Sequence, residues 1–194
     1  MHALKASAEA STEGPEARFA RTSHAPEAFR HPIAVIESDH AQQLALCDVL
    51  DRLLHNPRHG ATTEELEAAR DYLRQDLPLH IADEEQDLFP LMRRRAAAGD
   101  DIEQMFELLL QEHKTDRRLN DELCSDVECL VGGQAFADPA RFLMSAFTFA
   151  ETQRRHLAWE NTVVLKRARK CLTKADQTEL GQRMAKRRGL EVPD

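Results

Sequence analysis

The chain of 194 residues has few of the residues that build sheets, turns or disulfide frameworks. It contains seven glycines, eight phenylalanines, one tryptophan and one tyrosine, which argues against a β-rich fold because strands favour aromatic and β-branched residues. Its four cysteines are scattered, without a Cys-x-x-Cys pair, so the sequence offers no disulfide framework. They stand at Cys47, Cys124, Cys129 and Cys171.

Long apolar runs are also missing. No run approaches the roughly 18 residues that a membrane-spanning helix needs, and the first thirty residues lack the apolar core of a secretory signal. The formal net charge of −8 disfavours non-specific binding to nucleic acids or anionic membranes. We therefore expect a cytoplasmic protein with reduced thiols and without a nucleic-acid or membrane partner.

Helix-forming residues dominate instead, and apolar residues recur at steps of three and four in four long stretches. Pro32 opens the first stretch, a Thr62-x-x-Glu65 capping box the second, and Asp138 followed by proline the fourth. Four helices with short connections predict an all-α fold, an antiparallel up-and-down four-helix bundle. Pro78 falls inside the second stretch, where it removes a backbone hydrogen bond and predicts a kink.

Three regions follow from this pattern. Residues 1–31 show no sustained apolar period and are expected to form a disordered leader. Residues 32–172 form the predicted bundle, and residues 173–194 a short C-terminal helix with a tail.

A histidine interrupts the apolar stripe of each predicted helix, and in the second and fourth helices a glutamate follows four residues later on the same face. His40 precedes His80 by 40 residues and His113 precedes His156 by 43, so the pattern repeats. Residues at similar depth converge on a bundle axis, which predicts one interior layer of four imidazoles and two carboxylates. Its members are His40, His80, Glu84, His113, His156 and Glu160.

Buried carboxylates need a compensating charge, and a pair of metal ions would supply it. Nitrogen and oxygen ligands without thiolate favour iron or manganese, while zinc stays open on affinity alone. Two bridging glutamates and two histidines per ion leave room for solvent or a diatomic ligand. A metal-free layer of imidazolium and carboxylate ions is the alternative. Asp116, Asn120 and Gln153 also fall in the inward phase, and we expect them either to donate hydrogen bonds that orient the imidazoles or to form a simple polar patch. Glu112 is predicted to be a charge on the helix surface.

The segment 80–90, which reads His-Ile-Ala-Asp-Glu-Glu-Gln-Asp-Leu-Phe-Pro, resembles the hemerythrin-like HHE cation-binding family, and the similarity extends over about residues 32–171. This resemblance implies a four-helix bundle (hemerythrin-like) that holds two iron ions as a non-haem di-iron centre, oxo- or hydroxo-bridged. It implies the six residues of the layer as ligands, with Glu84 and Glu160 as bridges.

Two departures bear on function. Oxygen-carrying hemerythrins have a second histidine where this chain has Arg117, and their fourth helix carries His-x-x-x-x-Asp where this chain has His156-x-x-x-Glu160. We therefore expect a protein that binds or senses oxygen, nitric oxide or iron, rather than an oxygen carrier, with an unknown redox or protein partner.

The first alternative is a di-iron redox enzyme or iron–sulfur repair protein, similar to the Ric type, that acts on peroxide or nitric oxide. The second is a structural bundle with a vestigial ionic core.

Overall fold

The computed structural model describes residues 18–97 and 99–193, which form helices and connecting segments without a strand. A 3₁₀ helix, Pro26–Arg30, precedes five longer helices. No helix within these ranges is long and apolar enough to cross a membrane. The five are α1 (Pro32–His55), α2 (63–95), α3 (Ile102–Val131), α4 (139–171) and α5 (Lys174–Arg187).

The helix starts follow local hydrogen-bonding chemistry, because the first N–H groups of a helix need acceptors. At the start of α2 the Thr62 hydroxyl accepts from the Glu65 N–H, and the Glu65 carboxylate accepts from the Thr62 N–H. The Asp138 carboxylate accepts from the Arg141 N–H at the start of α4. Thr173 caps α5 in the same way as Thr62 caps α2. The predicted capping box and Asp138 cap are confirmed.

Two of the helices contain π turns, in which an i→i+5 hydrogen bond accommodates one extra residue. Such turns are frequent at functional sites. The π turns are Tyr72–Asp76 and Glu84–Leu88 in α2 and Glu160–Val164 in α4. The last two begin at the two glutamates of the predicted layer.

A proline follows each of the two π turns in α2, but none follows the π turn in α4. Pro78, where we predicted a kink, comes two residues after the turn Tyr72–Asp76, and Pro90 stands in the same position after the turn Glu84–Leu88. Because proline has no N–H, it fits where the regular hydrogen-bond ladder is already interrupted. The turn in α4 has no proline behind it, so proline is not required for a π turn in this chain.

Ion pairs between neighbouring helices show their relative directions. In every helix pair compared, rising residue numbers on one helix meet falling numbers on the other. The contacts are Glu37–Arg169 and Asp51–Arg154 between α1 and α4, Arg93–Glu103 and Arg74–Glu128 between α2 and α3, and Asp126–Arg141 between α3 and α4, with Asp100–Arg167 joining the segment just before α3 to α4.

The apolar core consists of two clusters on either side of the histidine and glutamate layer. One cluster includes residues just before His40 and just after Glu84, and the other includes residues just after His40 and just before His80. The layer is therefore enclosed by apolar side chains above and below. Representative members are Phe29, Ile36, Phe89, Phe106 and Leu165 of the first cluster, and Leu46, Tyr72, Leu123, Phe142 and Phe149 of the second.

The prediction that residues 1–31 form a disordered leader is wrong for residues 18–31. Phe19 and Phe29 are buried in the two apolar clusters, and the Thr22 N–H donates to the Gln42 side chain on α1. The sequence shows no apolar period there because two isolated aromatic anchors, not a helix face, hold the segment. Residues 1–17 lie outside the described residues.

Candidate metal centre

The six residues of the predicted layer meet inside the bundle. Each of α1 to α4 contributes one histidine, and α2 and α4 each add a glutamate at the first residue of a π turn. Every one of the six is at most 4% exposed. The residues are His40, His80, Glu84, His113, His156 and Glu160.

The imidazoles of His40 and His80, called here the first pair, lie with their ring centroids 4.9 Å apart. The His40 Nε2 atom is 3.3 Å from Oε2 of Glu160 and 3.8 Å from Oε1 of Glu84. The His80 Nε2 atom is 3.6 Å from Oε2 of Glu84. These two histidines and both glutamates form a group whose ligand atoms could hold one metal ion.

The imidazoles of His113 and His156, the second pair, lie 5.1 Å apart. The His113 Nε2 atom is 3.4 Å from Oε2 of Glu84 and 4.0 Å from Oε1 of Glu160. The His156 Nε2 atom is 3.3 Å from Oε2 of Glu160. This pair and Glu160 form a second group that could hold a metal ion. Each pair corresponds to one half of the sequence repeat.

Polar atoms without partners mark the centre of the layer. Both carboxylate oxygens of Glu84 and of Glu160 are buried without a hydrogen bond, and so are the Nε2 atoms of His40 and His113. Buried polar groups are nearly always satisfied, and a set of unsatisfied ones needs an explanation such as an ion. Nitrogen and oxygen donors aimed at a common centre fit a transition-metal ion.

The charges of the layer compensate one another in the metal-free protein. Burial favours the neutral imidazole, but the facing carboxylates Glu160 and Glu84 outweigh it and raise the pKa of His40 to about 10. The same balance of burial against nearby carboxylates raises the pKa of His113 to about 10 and that of His156 to about 9. Without metal, these imidazoles therefore carry protons at neutral pH.

The two carboxylates shift in the complementary direction. Burial alone would raise the pKa of Glu84, yet the imidazoles around it hold that pKa well below its ordinary value. The pKa of Glu160 is also lowered, although both burial and the neighbouring Glu84 oppose the shift. Both glutamates are therefore ionised and able to bind a cation.

The second ring nitrogens face outward, and the sequence analysis predicted none of their hydrogen-bond partners. The Nδ1 atom of His40 contacts Oδ1 of Asn161 at 2.8 Å. The Nδ1 atom of His113 lies 2.9 Å from a Glu85 oxygen, and that of His156 lies 2.7 Å from a Glu112 oxygen. The prediction that Glu112 is a surface charge is wrong, since its carboxylate reaches across from α3 to an α4 imidazole. An acidic residue directly beside a ligand position is the one signal available in the sequence.

The three residues that were candidates for orienting the imidazoles, Asp116, Asn120 and Gln153, are buried but make other contacts. The Asn120 amide donates to the Leu73 carbonyl, so it satisfies α2 backbone and does not orient an imidazole. Asp116 is near Gln153, and burial raises the pKa of Asp116 against the opposing effect of His156. The Gln153 side-chain oxygen has no hydrogen-bond partner among the described residues. The hydrogen-bond contacts to the Nδ1 atoms are those of Asn161, Glu85 and Glu112.

Buried histidines and glutamates of a helical bundle converge on one layer, and these residues could bind metal cations. The chain matches the family model of the hemerythrin HHE cation-binding domain over residues 31–168. This match spans most of the chain, so the chain belongs to the hemerythrin HHE family. The match confirms the family resemblance seen in the sequence. No curated protein and no solved structure gave a significant match.

Proposed function

We propose that this chain is a hemerythrin-like non-haem di-iron protein, an antiparallel up-and-down four-helix bundle that binds or senses oxygen, nitric oxide or iron. The first pair of histidines would hold one ion and the second pair the other, with Glu84 and Glu160 bridging them. When bound, such a pair of ions supplies reversible redox chemistry and open positions for a small ligand. The observation that carries this proposal is the set of unpartnered carboxylate oxygens facing four imidazoles.

The surroundings of the layer support a small ligand rather than a large substrate. A cavity of about 80 Å³ lies beside His156, and this volume suits one or two small molecules. Thr115, Asp116, Thr152 and Arg155 contribute to its walls, so it offers hydroxyl groups at the side of the second pair. The apolar clusters above and below the layer restrict access from the two ends of the bundle.

The ligand count favours a reactive centre as the second candidate. In the proposed arrangement, two histidines and two shared glutamates would give each ion four protein ligands, so both ions would keep positions for solvent or substrate. An enzyme that reduces peroxide or nitric oxide, or a repair protein for iron–sulfur clusters, would use the same residues. Mixed nitrogen and oxygen ligands favour iron or manganese over a structural zinc site.

One experiment separates binding from turnover. Protein purified without added zinc is reduced with dithionite and exposed separately to oxygen, nitric oxide and peroxide while its absorption spectrum is followed, with azide as a competing anion. A stable spectrum that reverses on removal of the gas supports binding or sensing. Repeated consumption of nitric oxide or peroxide supports the enzyme. Spectra that respond to none of the additions would contradict both.

A further inference from the structure

The outer contacts of the four imidazoles differ between the two pairs. In the second pair, the Nδ1 atoms of His113 and His156 lie 2.9 and 2.7 Å from the carboxylates of Glu85 and Glu112. In the first pair, the His40 Nδ1 atom lies 2.8 Å from the neutral amide oxygen of Asn161. The distances are alike, but the charges of the acceptors are not.

The fourth imidazole lacks a close acceptor. The His80 Nδ1 atom lies 3.7 Å from Oδ2 of Asp39, beyond hydrogen-bond length, and it has no other partner among the described residues. The Oδ1 atom of Asp39 contacts His24 at 2.6 Å. Its Oδ2 atom has no hydrogen-bond partner among the described residues and lies equally far, 3.7 Å, from Arg188 and from the His80 Nδ1 atom. Asp39 therefore makes its close contact with His24, and its carboxylate lies near His80 without a hydrogen bond to it.

The carboxylates that contact His113 and His156 also face guanidinium groups. Arg117 donates a hydrogen bond to the second oxygen of Glu85 at 2.5 Å. Arg155 lies 3.8 Å from the second oxygen of Glu112, beyond hydrogen-bond length. Each carboxylate thus has one oxygen on an imidazole and the other toward an arginine. This arrangement orients each ring and keeps a proton on Nδ1, so that Nε2 is the nitrogen that binds a cation once it has released its own proton.

A carboxylate that accepts the Nδ1 proton of a ligating histidine makes the opposite nitrogen a stronger donor than a neutral amide does. We propose that the two metal positions of this centre are unequal, and that Glu85 and Glu112 are positioning residues which make the His113–His156 position the tighter one. The His40–His80 position then loses its ion first. This inference rests on the proposed function, because it concerns the ions that the layer would hold.

The test is a titration of chelator-treated full-length protein with ferrous iron under anaerobic conditions, followed by calorimetry. The wild type should show two binding phases separated by tenfold or more. Glu112→Gln keeps a side-chain oxygen for His156 and removes only the charge, so it should weaken the tight phase about tenfold or more and leave the weak phase nearly unchanged. Asn161→Asp places a carboxylate beside His40 and should strengthen the weak phase, so that the two phases approach each other.

Glu122→Gln is the matched control, because Glu122 lies on the same helix as Glu112 and contacts Ser145 and Arg118 rather than an imidazole. It should leave both phases unchanged. A thermal melt of each variant checks folding, and the gain expected from Asn161→Asp does not arise from a damaged fold.

The outcomes separate this inference from the proposed function. Two ions with indistinguishable affinities, or variants that shift both phases equally, would overturn the inference and leave the di-iron function standing. A wild type that binds no iron would overturn both. Selective weakening of the tight phase by Glu112→Gln together with strengthening of the weak phase by Asn161→Asp would establish it.

Discussion

The Nε2 atom of His40 on α1 lies 3.3 Å from Oε2 of Glu160 on α4, the same distance that separates this oxygen from Nε2 of His156. One carboxylate oxygen therefore faces an imidazole from each half of the repeated sequence. The geometry joins the two halves into a single centre, in which a change at the shared Glu160 carboxylate would affect both of the proposed metal positions.

Removal of one predicted ligand should lower metal content and metal-dependent stability. His80→Ala is expected to bind about one ion fewer per chain, because its Nε2 atom faces Glu84 within the first pair. Metal that binds only the folded state stabilises it by about 2.7 kcal/mol at a hundredfold excess over Kd, and part of this gain should disappear. Metal analysis and thermal melts with and without iron measure both effects.

His55→Ala provides the control for this variant. His55 is exposed at the end of α1, and its Nδ1 atom contacts the Asp51 carbonyl oxygen at 2.7 Å. This variant should retain the wild-type metal content. If His80→Ala matches the wild type in stability both with and without iron, the layer is a structural ionic core.

The metal-free protein should lose stability in alkali. Folding raises the pKa of His40 and His113 from 6.5 to about 10, so their protonated forms stabilise the fold fully below pH 6.5, and this contribution is lost as the pH rises toward 10. Folding lowers the pKa of Glu84 and Glu160 from 4.5, so their contribution is present above pH 4.5 and is lost as the pH falls further. Urea unfolding of chelator-treated protein should show its highest midpoint between these two limits.

Iron-loaded protein is the comparison for this pH series. Bound metal replaces the imidazole protons, so metal binding releases protons and gains affinity as the pH rises. The loaded protein should lose less stability between pH 6.5 and 10 than the metal-free protein does. A metal-free protein with equal urea midpoints at both pH values would be inconsistent with protonated imidazoles in the layer.

Two arginines at the end of α5 compensate a fully buried carboxylate beside the layer. Asp83 is 0% exposed; Arg187 pairs with it, and Arg188 Nη1 lies 2.7 Å from its Oδ2 atom. Replacing both arginines with glutamine should lower the free energy of unfolding by about 3 kcal/mol, because the carboxylate stays buried without its cations. Denaturant unfolding measures this loss.

Two controls accompany this variant. Adding Asp83→Asn to the double variant should restore much of the lost stability, since the uncompensated charge is removed. Arg118→Gln breaks an exposed pair with Glu122 and should change the free energy of unfolding by at most about 1 kcal/mol. No rescue by Asp83→Asn would show that the arginines act by packing alone.

Gly181 permits α5 to lie directly against the N-terminal segment. A Cβ atom at this position would stand 1.9 Å from the Phe29 carbonyl oxygen, so Gly181→Ala should displace the helix and cost about 1 to 3 kcal/mol. Gly132→Ala is the matched control, because its Cβ would meet neighbours no closer than 3.5 Å. Equal thermal stability of the two variants would contradict this close approach.

The helical period predicted the all-helical fold and the six inward residues, because a histidine in a stripe of leucines is visible in sequence. The same period could not show the π turns at Glu84 and Glu160, since the extra residue leaves the spacing of four from His80 and His156 unchanged. It also could not assign Glu85 and Glu112. Their contacts depend on the rotation of one helix against its neighbour, and periodicity within one helix does not contain that information.

Metal analysis of protein purified without added zinc is the decisive measurement for a di-iron centre. We predict close to two iron ions per chain in the wild type, with lower content in His80→Ala and unchanged content in His55→Ala. A wild-type protein that is fully folded and free of metal, and that takes up no iron when iron is supplied anaerobically, would contradict it.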